Sequence, residues 1–306
     1  MTKIKVVGVG GSGCNAISRM AKCEIKGVEL VAVNTDAQDL FKANADVKLR
    51  IGRKATQGLG TGMNPEVGRK SAMENRQEIS DVLKGADMVF IACGMGGGTG
   101  SGAAPVVAQI SKELGILTLA IVTTPFSFEG EARMKIAANG LRRLKENVDT
   151  LISISNDKLL FALPPDTPLV NAFWVCDDTL RQAVQGISDL ILLPGIINVN
   201  FADIEAVMKN AGSALFGTGT AKGEGRAEKA ALSAVNSPLL DVSVKGAKGV
   251  LFNVSGGKDI SLSEIDQVAK VITKEVNPAA KIIFGAVQTE DLKEGEIKVT
   301  VIATGF

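Results

Sequence analysis

Met95-Gly96-Gly97-Gly98-Thr99-Gly100-Ser101-Gly102 decides how this chain is read. An apolar run, Met88-Val89-Phe90-Ile91-Ala92, leads into it, and a helical run, Ala103-Ala104-Pro105-Val106-Val107-Ala108, follows. With so many glycines, few side chains stand between the backbone N–H groups and a ligand. At a helix N-terminus, unpaired donors and the positive end of the dipole coincide, which suits phosphate. The stretch lacks the lysine of G-x-x-x-x-G-K-[ST], so it is not an ordinary P-loop. The blander reading is a flexible glycine turn.

Outward from this loop, the first half alternates strand and helix. Strands are expected at 5–9, 28–33, 47–51, 88–92, 117–122 and 151–155, with helices at 13–22, 66–83, 103–114 and 131–145. Helices between strands imply parallel pairing and put a ligand at the carboxyl edge of the sheet. Residues 168–193 read as one long helix with Leu169, Phe173, Cys176, Leu180, Val184, Ile187 and Leu190 as its inner stripe. Pro168 suits its first turn and Pro194-Gly195 ends it. A smaller α+β region follows: helices at 202–209, 226–235 and 262–275, and strands at 213–216, 250–254, 281–287 and 297–303. The last two strands, joined by a short polar stretch, read as a hairpin. The expected division is 1–167, a connecting helix at 168–195, and 196–306.

The 306 residues are 45% hydrophobic and 22% charged, ordinary values for a globular chain with a sizeable core. A net charge of +1, from 34 basic and 33 acidic residues, argues against nucleic acid as a partner. No apolar run approaches the ~18 residues of a membrane span, so no membrane insertion is expected. Cys14, Cys23, Cys93 and Cys176 lack C-x-x-C spacing, which indicates neither a zinc site nor a disulfide framework and fits a reducing cytoplasm. The chain contains no histidine, so proton transfer and ligation must rest on other groups.

A second glycine loop, Gly8-Val9-Gly10-Gly11-Ser12-Gly13-Cys14-Asn15, follows the first strand and fits G-x-G-x-x-G. Alone it invites a dinucleotide reading, with Asp36 where a ribose-binding acid would stand. That reading leaves the richer loop after the later strand unexplained. Two cradles at one sheet edge suit a triphosphate better.

The octapeptide resembles the G-G-G-T-G-[ST]-G signature of the tubulin/FtsZ superfamily. From Ile4 to Phe306 the chain is similar to the FtsZ family of tubulin-like GTPases. The resemblance is carried by Gly10–Ala16, Asn34-Thr35-Asp36, Gly58–Pro65, Pro125–Gly130, Ile154–Asp157, Gln185–Asp189 and Ile197–Asp203. It implies a Rossmann-like GTP-binding α/β domain with a parallel sheet, a long central helix and a smaller α+β C-terminal domain. It also implies GTP or GDP as ligand, with Mg2+. Gly10, Gly11, Ser12, Gly13, Cys14 and Asn15, with Gly98, Thr99 and Gly100, would serve the phosphates. Thr61 and Gly62 would sit near the γ-phosphate, and Glu129 and Arg133 at the ribose. Asn156 and Asp177 would choose the base, with Phe173 stacking on it. A carboxylate accepts guanine N1–H and the 2-amino group together, whereas adenine N1 offers a lone pair and no donor.

In that family, hydrolysis needs an N-x-D-x-x-D loop that enters the GTP site of the next subunit in a head-to-tail filament. Here the loop reads Asn198-Val199-Asn200-Phe201-Ala202-Asp203, so Asn198, Asn200 and Asp203 stand at its polar positions and one carboxylate is replaced by Asn200. An amide positions a water but carries no charge to polarise it, so turnover is expected to be slow while binding persists. The resemblance thus implies self-association into protofilaments of a division ring and a cytoplasmic, mid-cell location. Membrane-anchoring division proteins are expected as partners only if a tail extends beyond Phe306. The alternatives are a non-hydrolysing polymer or regulatory GTP binder and, more remotely, a nicotinamide oxidoreductase.

Overall fold

The computed structural model describes residues 2–25, 27–164, 166–237, 244–289 and 292–306, which gather into two compact units, 1–185 and 186–306. The first unit begins β1 (Ile4–Val9), α1 (Gly10–Lys22), β2 (Val28–Asn34), α2 (Ala37–Lys42), β3 (Val47–Arg50) and α3 (Arg53–Thr56). It continues with α4 (Pro65–Glu74), α5 (Arg76–Leu83), β4 (Met88–Gly94), α6 (Gly98–Glu113), β5 (Leu117–Thr124), α7 (Glu131–Lys145), β6 (Thr150–Ser155) and α8 (Asn156–Ala162). Helix α9 (Leu169–Leu192) carries the chain from the first unit into the second.

The six strands pair in the order β3-β2-β1-β4-β5-β6, all parallel. Covered on both faces, the central strand reads as an unbroken apolar run: every side chain from Met88 to Cys93 is buried. The order reverses between β1 and β4, and in open α/β sheets the crevice at such a point binds the ligand.

Two helices differ from the expected boundaries for a physical reason. Residues 66–83 break at Asn75, whose buried side chain accepts the Gly52 N–H (2.8 Å) and donates to Glu78 (2.6 Å). Helix α6 begins at Gly98, inside the glycine signature, rather than at residue 103. Glycine has poor helix propensity. Packing overrides it, because a Cβ on Gly102 would lie 2.0 Å from the Pro65 carbonyl oxygen and one on Gly98 2.2 Å from Thr61 Oγ1. The signature glycines therefore let α4 seat against α6, besides opening the loop to a ligand.

The inner stripe of α9 holds from Cys176 through Leu180, Val184, Ile187 and Leu190, all buried, but not before. Leu169 is 59% exposed and Phe173 40%, while Ala172 between them stays buried.

The second unit adds α10 (Phe201–Met208), β7 (Gly212–Lys222), α11 (Arg226–Val235), β8 (Gly249–Gly256), α12 (Leu262–Glu275), β9 (Lys281–Gln288) and β10 (Glu296–Thr304). The expected hairpin of the last two strands does not form. β10 lies antiparallel between β7 and β8, while β9 runs parallel to β8 on its other side. Residues 289–295, at ~3.3 Å each, easily span the ~10 Å needed to skip one strand, and alternation alone does not name a strand's partner. Arg226, at the start of α11, donates to Asp259 and to Glu264 Oε1 (2.6 Å) and ties α11 to α12.

Candidate functional site

At the carboxyl ends of β1 and β4 lies a cavity of about 440 Å³, within the range of small-molecule sites. Each strand feeds a helix whose first turn lines it: Gly10, Gly11 and Ser12 of α1, and Gly98, Thr99 and Gly100 of α6. The two starts nearly touch, since a Cβ on Gly10 would sit 3.1 Å from the Gly100 nitrogen. First-turn N–H groups have no acceptor within their own helix, and two positive dipole ends meet here. The arrangement is an anion cradle built from backbone. Gly97, just before α6, also lines it, and a Cβ there would meet nothing within 4 Å.

The structure also brings Asn15, Thr61, Glu129, Arg133, Asn156, Phe173 and Asp177, all named in the sequence reading, to this cavity. Gly13, Cys14 and Gly62 do not line it. Gly13 faces the sheet, where its Cβ would lie 2.6 Å from the Ala92 carbonyl oxygen. Cys14 is buried against Ala32, Leu40 and Ala43, and burial pushes its thiol up to about 12. Their N–H groups lie beyond the free first turn of α1, which leaves them a packing role. Gly62 stands in the loop before α4 with φ 55°.

Away from the cradle the cavity is lined by side chains. Glu129 accepts from Arg133 Nη1 (2.6 Å) and from the Phe126 N–H (3.0 Å), so both carboxylate oxygens are held. Phe173 packs edge-on against Phe126 with ring centroids 5.3 Å apart and keeps an exposed face. Asn156 is only 6% exposed, yet its Oδ1 has no hydrogen-bond partner. Asp177 is buried, and desolvation raises its pKa to about 6 against the opposing pull of Arg19, whose Nε donates to Oδ2 (3.1 Å). Two buried acceptors therefore line one cavity, one with an unfilled oxygen and the other with capacity left, because a carboxylate takes about four donors.

Gly97 and Thr123 line the cavity, and Arg19 stands behind Asp177, though the sequence reading assigned none of them to the site. Thr99, expected at the phosphates, shares a hydrogen bond with Thr35 (2.8 Å) and a longer one with Thr61 (3.4 Å), a hydroxyl chain that fixes the loop before α4 to the start of α6. Gly97 carried a signal, since it lies in the signature. Arg19 carried none, being remote in sequence from Asp177. Asp36 is not at the cavity; its Oδ1 caps α2 by accepting from Gln38 (2.9 Å) and Asp39 (3.0 Å), which removes the ribose-binding acid of the dinucleotide reading.

Asn198, Asn200 and Asp203 lie in the second unit, exposed to solvent, and none lines the cavity. Asn200 is the N-cap of α10 but makes no side-chain capping bond, and Asp203 sits in the first turn. Buried Val199 and Ile204 anchor the segment, while Asn198 Oδ1 accepts the Gly195 N–H (2.8 Å) and shapes the turn. Among the described residues no group of three carboxylate or thiol side chains gathers to hold a metal.

A family model for the Tubulin/FtsZ GTPase domain matches residues 3–163, and one for the FtsZ C-terminal domain matches residues 212–306. The structure is similar to an empty FtsZ dimer from M. jannaschii, with TM-score 0.96 and 48% identity, covering 100% of this chain and 88% of that one. A tryptophan-to-tyrosine FtsZ variant from M. jannaschii gives TM-score 0.95 and 49% identity over 99% of this chain and 91% of that one. GDP-bound CetZ1 from Haloferax volcanii shares the fold at TM-score 0.86 and 19% identity, over 100% and 94% of the two chains. With its glycine cradle at the switch point of a parallel sheet and both halves matched, the chain belongs to the FtsZ family of tubulin-like GTPases.

Proposed function

We propose that the chain binds GTP in the cavity between α1 and α6 and hydrolyses it only where a second copy completes the site. The observation that carries the guanine reading is the pair of buried acceptors, Asn156 Oδ1 and the Asp177 carboxylate. A ligand edge rich in donors satisfies both; adenine's does not. The free first-turn N–H groups at both helix starts, with Asn15 and Thr61, hold the phosphates, and the Glu129–Arg133 pair holds the ribose. Phe173 offers its open face to the base.

No lining group is placed as a base for water: Glu129 is held on both oxygens, and Asp177 serves the purine. Phosphoryl transfer rests on positioning and charge, so the polar groups of another subunit suffice to complete it. Asn200 and Asp203 are exposed at a helix start anchored by buried neighbours, which suits entry into another copy. Contact of one surface with a different surface of the next copy propagates into a filament. The M. jannaschii relative is described as a dimer. In this reading, 1–167 bind nucleotide, 168–195 connect and 196–306 assemble and activate, in filaments of the cell-division ring at mid-cell. With amide-bearing Asn200 in place of a carboxylate, those filaments turn over GTP slowly. Membrane-anchoring partners belong to a tail beyond residue 306, where one exists.

The test mixes two variants. Asp203→Ala retains GTP but lacks the donated carboxylate; Asp177→Asn keeps the carboxylate but binds GTP weakly. Neither alone is expected to release phosphate at an appreciable rate, whereas their mixture does, with a rate rising steeply with total protein. Hydrolysis first order in dilute wild-type protein defeats the shared-site reading.

A further inference from the structure

We propose that Arg19 is a positioning residue of the purine end of the site. Stacked over Trp174, it holds the Asp177 carboxylate in the orientation that accepts the guanine edge. The inference rests on the guanine reading above and adds to it the element that makes Asp177 selective.

The geometry is a three-residue brace joining α1 to α9. Arg19 Nε donates to Asp177 Oδ2 at 3.1 Å, while the guanidinium carbon lies 5.3 Å from the centroid of the Trp174 ring. Trp174 and Asp177 are three residues apart on α9 and so share a face. A guanidinium is planar and delocalised, so stacking on one side and a hydrogen bond at its edge fix its orientation. That bond engages one oxygen of a carboxylate with room for about four donors, and the purine edge needs two. Without the brace, a buried carboxylate is free to rotate or to take up a proton, and either event loses the pair of bonds to N1–H and the 2-amino group.

The surroundings leave Arg19 as the cation that acts on Asp177. From the turn before α7 comes Glu129, already engaged by Arg133 of α7. On α9 itself, Cys176 is held as a thiol by burial, pushed up to about 12. Burial raises Asp177 toward protonation and Arg19 opposes it. Removing Arg19 therefore moves the acid limit of guanine binding upward in pH. Trp174 is half exposed, so it is not needed to fill the core, and it is the only tryptophan in a chain without tyrosine. Its emission reports on the brace directly.

The experiment measures binding of GTP, inosine triphosphate and ATP to the full chain by calorimetry, from pH 5 to 8. Inosine triphosphate keeps N1–H and lacks the 2-amino group. Wild-type protein is expected to prefer GTP over it by about tenfold or more, the scale of one hydrogen bond to a charged group. In Arg19→Gln, that preference collapses toward unity and the acid midpoint of GTP binding rises. Arg19→Lys, which keeps the charge, returns the midpoint toward the wild-type value. Trp174→Ala, at an exposed position, lowers the preference less and gives the same reading if Arg19→Gln does not fold. A merely structural brace weakens both nucleotides equally, and an unchanged preference and midpoint in Arg19→Gln overturns the proposal. Wild-type protein that fails to select GTP over ATP overturns the guanine reading and this inference with it.

Discussion

The cradle of the first unit and the Asn198–Asp203 segment of the second are built on opposite plans. In the cradle, the functional groups are mostly backbone N–H at two helix starts, backed by buried Asn156 and Asp177. Every residue that lines the cavity lies within residues 1–185. In the second segment the polar side chains point to solvent, the N-cap amide makes no capping bond, and the anchoring falls to Val199 and Ile204. In the proposed reading, binding is complete within one unit while the groups assigned to chemistry stand at a surface. A site split in that way would let nucleotide occupancy and turnover be altered separately.

The largest test of that separation lies in the exposed segment. Restoring the charge with Asn200→Asp is expected to speed phosphate release in assembled protein by roughly tenfold to about a thousandfold, the scale of one catalytic group. Calorimetric GTP affinity of the dilute chain stays as it was. A change in affinity, or none in rate, breaks the contrast.

In the cradle unit, Asp177→Asn replaces one acceptor oxygen by an amide donor that opposes guanine N1–H. The loss expected is about a hundredfold in GTP affinity, since each bond to the charged group contributes roughly 1.5–3 kcal/mol. Titration with GTP and ATP side by side checks it, because discrimination should fall together with affinity.

Glycine substitutions sharpen the comparison within the cradle itself. A Cβ on Gly100 would sit 2.5 Å from the Gly94 carbonyl oxygen, so Gly100→Ala is expected to destabilise the fold by about 1–3 kcal/mol and to lower the melting temperature. Gly97→Ala meets nothing within 4 Å, and φ −92° is open to any residue. It is expected to melt with the wild type while weakening GTP. Equal melting of both variants would mean that the signature glycines serve the ligand alone.

The smallest effect is on pH. Guanine needs the ionised carboxylate, and Asp177 in the free protein is raised to about 6. Affinity is then full above that value and falls on acidification, by about tenfold between pH 7 and pH 5. A flat profile across that interval would take Asp177 out of the site.

Much of this was legible without coordinates, because it depends on short-range rules. A glycine loop between an apolar strand and a helix points to a phosphate cradle, and strand–helix alternation points to parallel pairing. The alignment of a whole motif series with one family carried Asn156, Phe173 and Asp177 as well. What local reading missed depends on which surfaces meet. The apolar run marks the helix only from Ala103, whereas α6 starts five residues earlier at Gly98, where Pro65 packs over Gly102. Periodicity carries the apolar stripe of α9 through Leu169, which is exposed, because it shows which residues share a face, not where burial stops.

The sequence by itself determined the fold class, the glycine loops of the cradle and the amide at Asn200, since each is written in contiguous residues or in a family's motif. Only the tertiary structure decided that Gly13 and Cys14 pack rather than line the cavity. The placing of β10 between β7 and β8, and the meeting of Arg19 with Asp177 over Trp174, were likewise settled there. These outcomes share one cause. Strand order, close approach and buried ion pairing join residues far apart in the chain, and their free energies depend on neighbours that no local window contains.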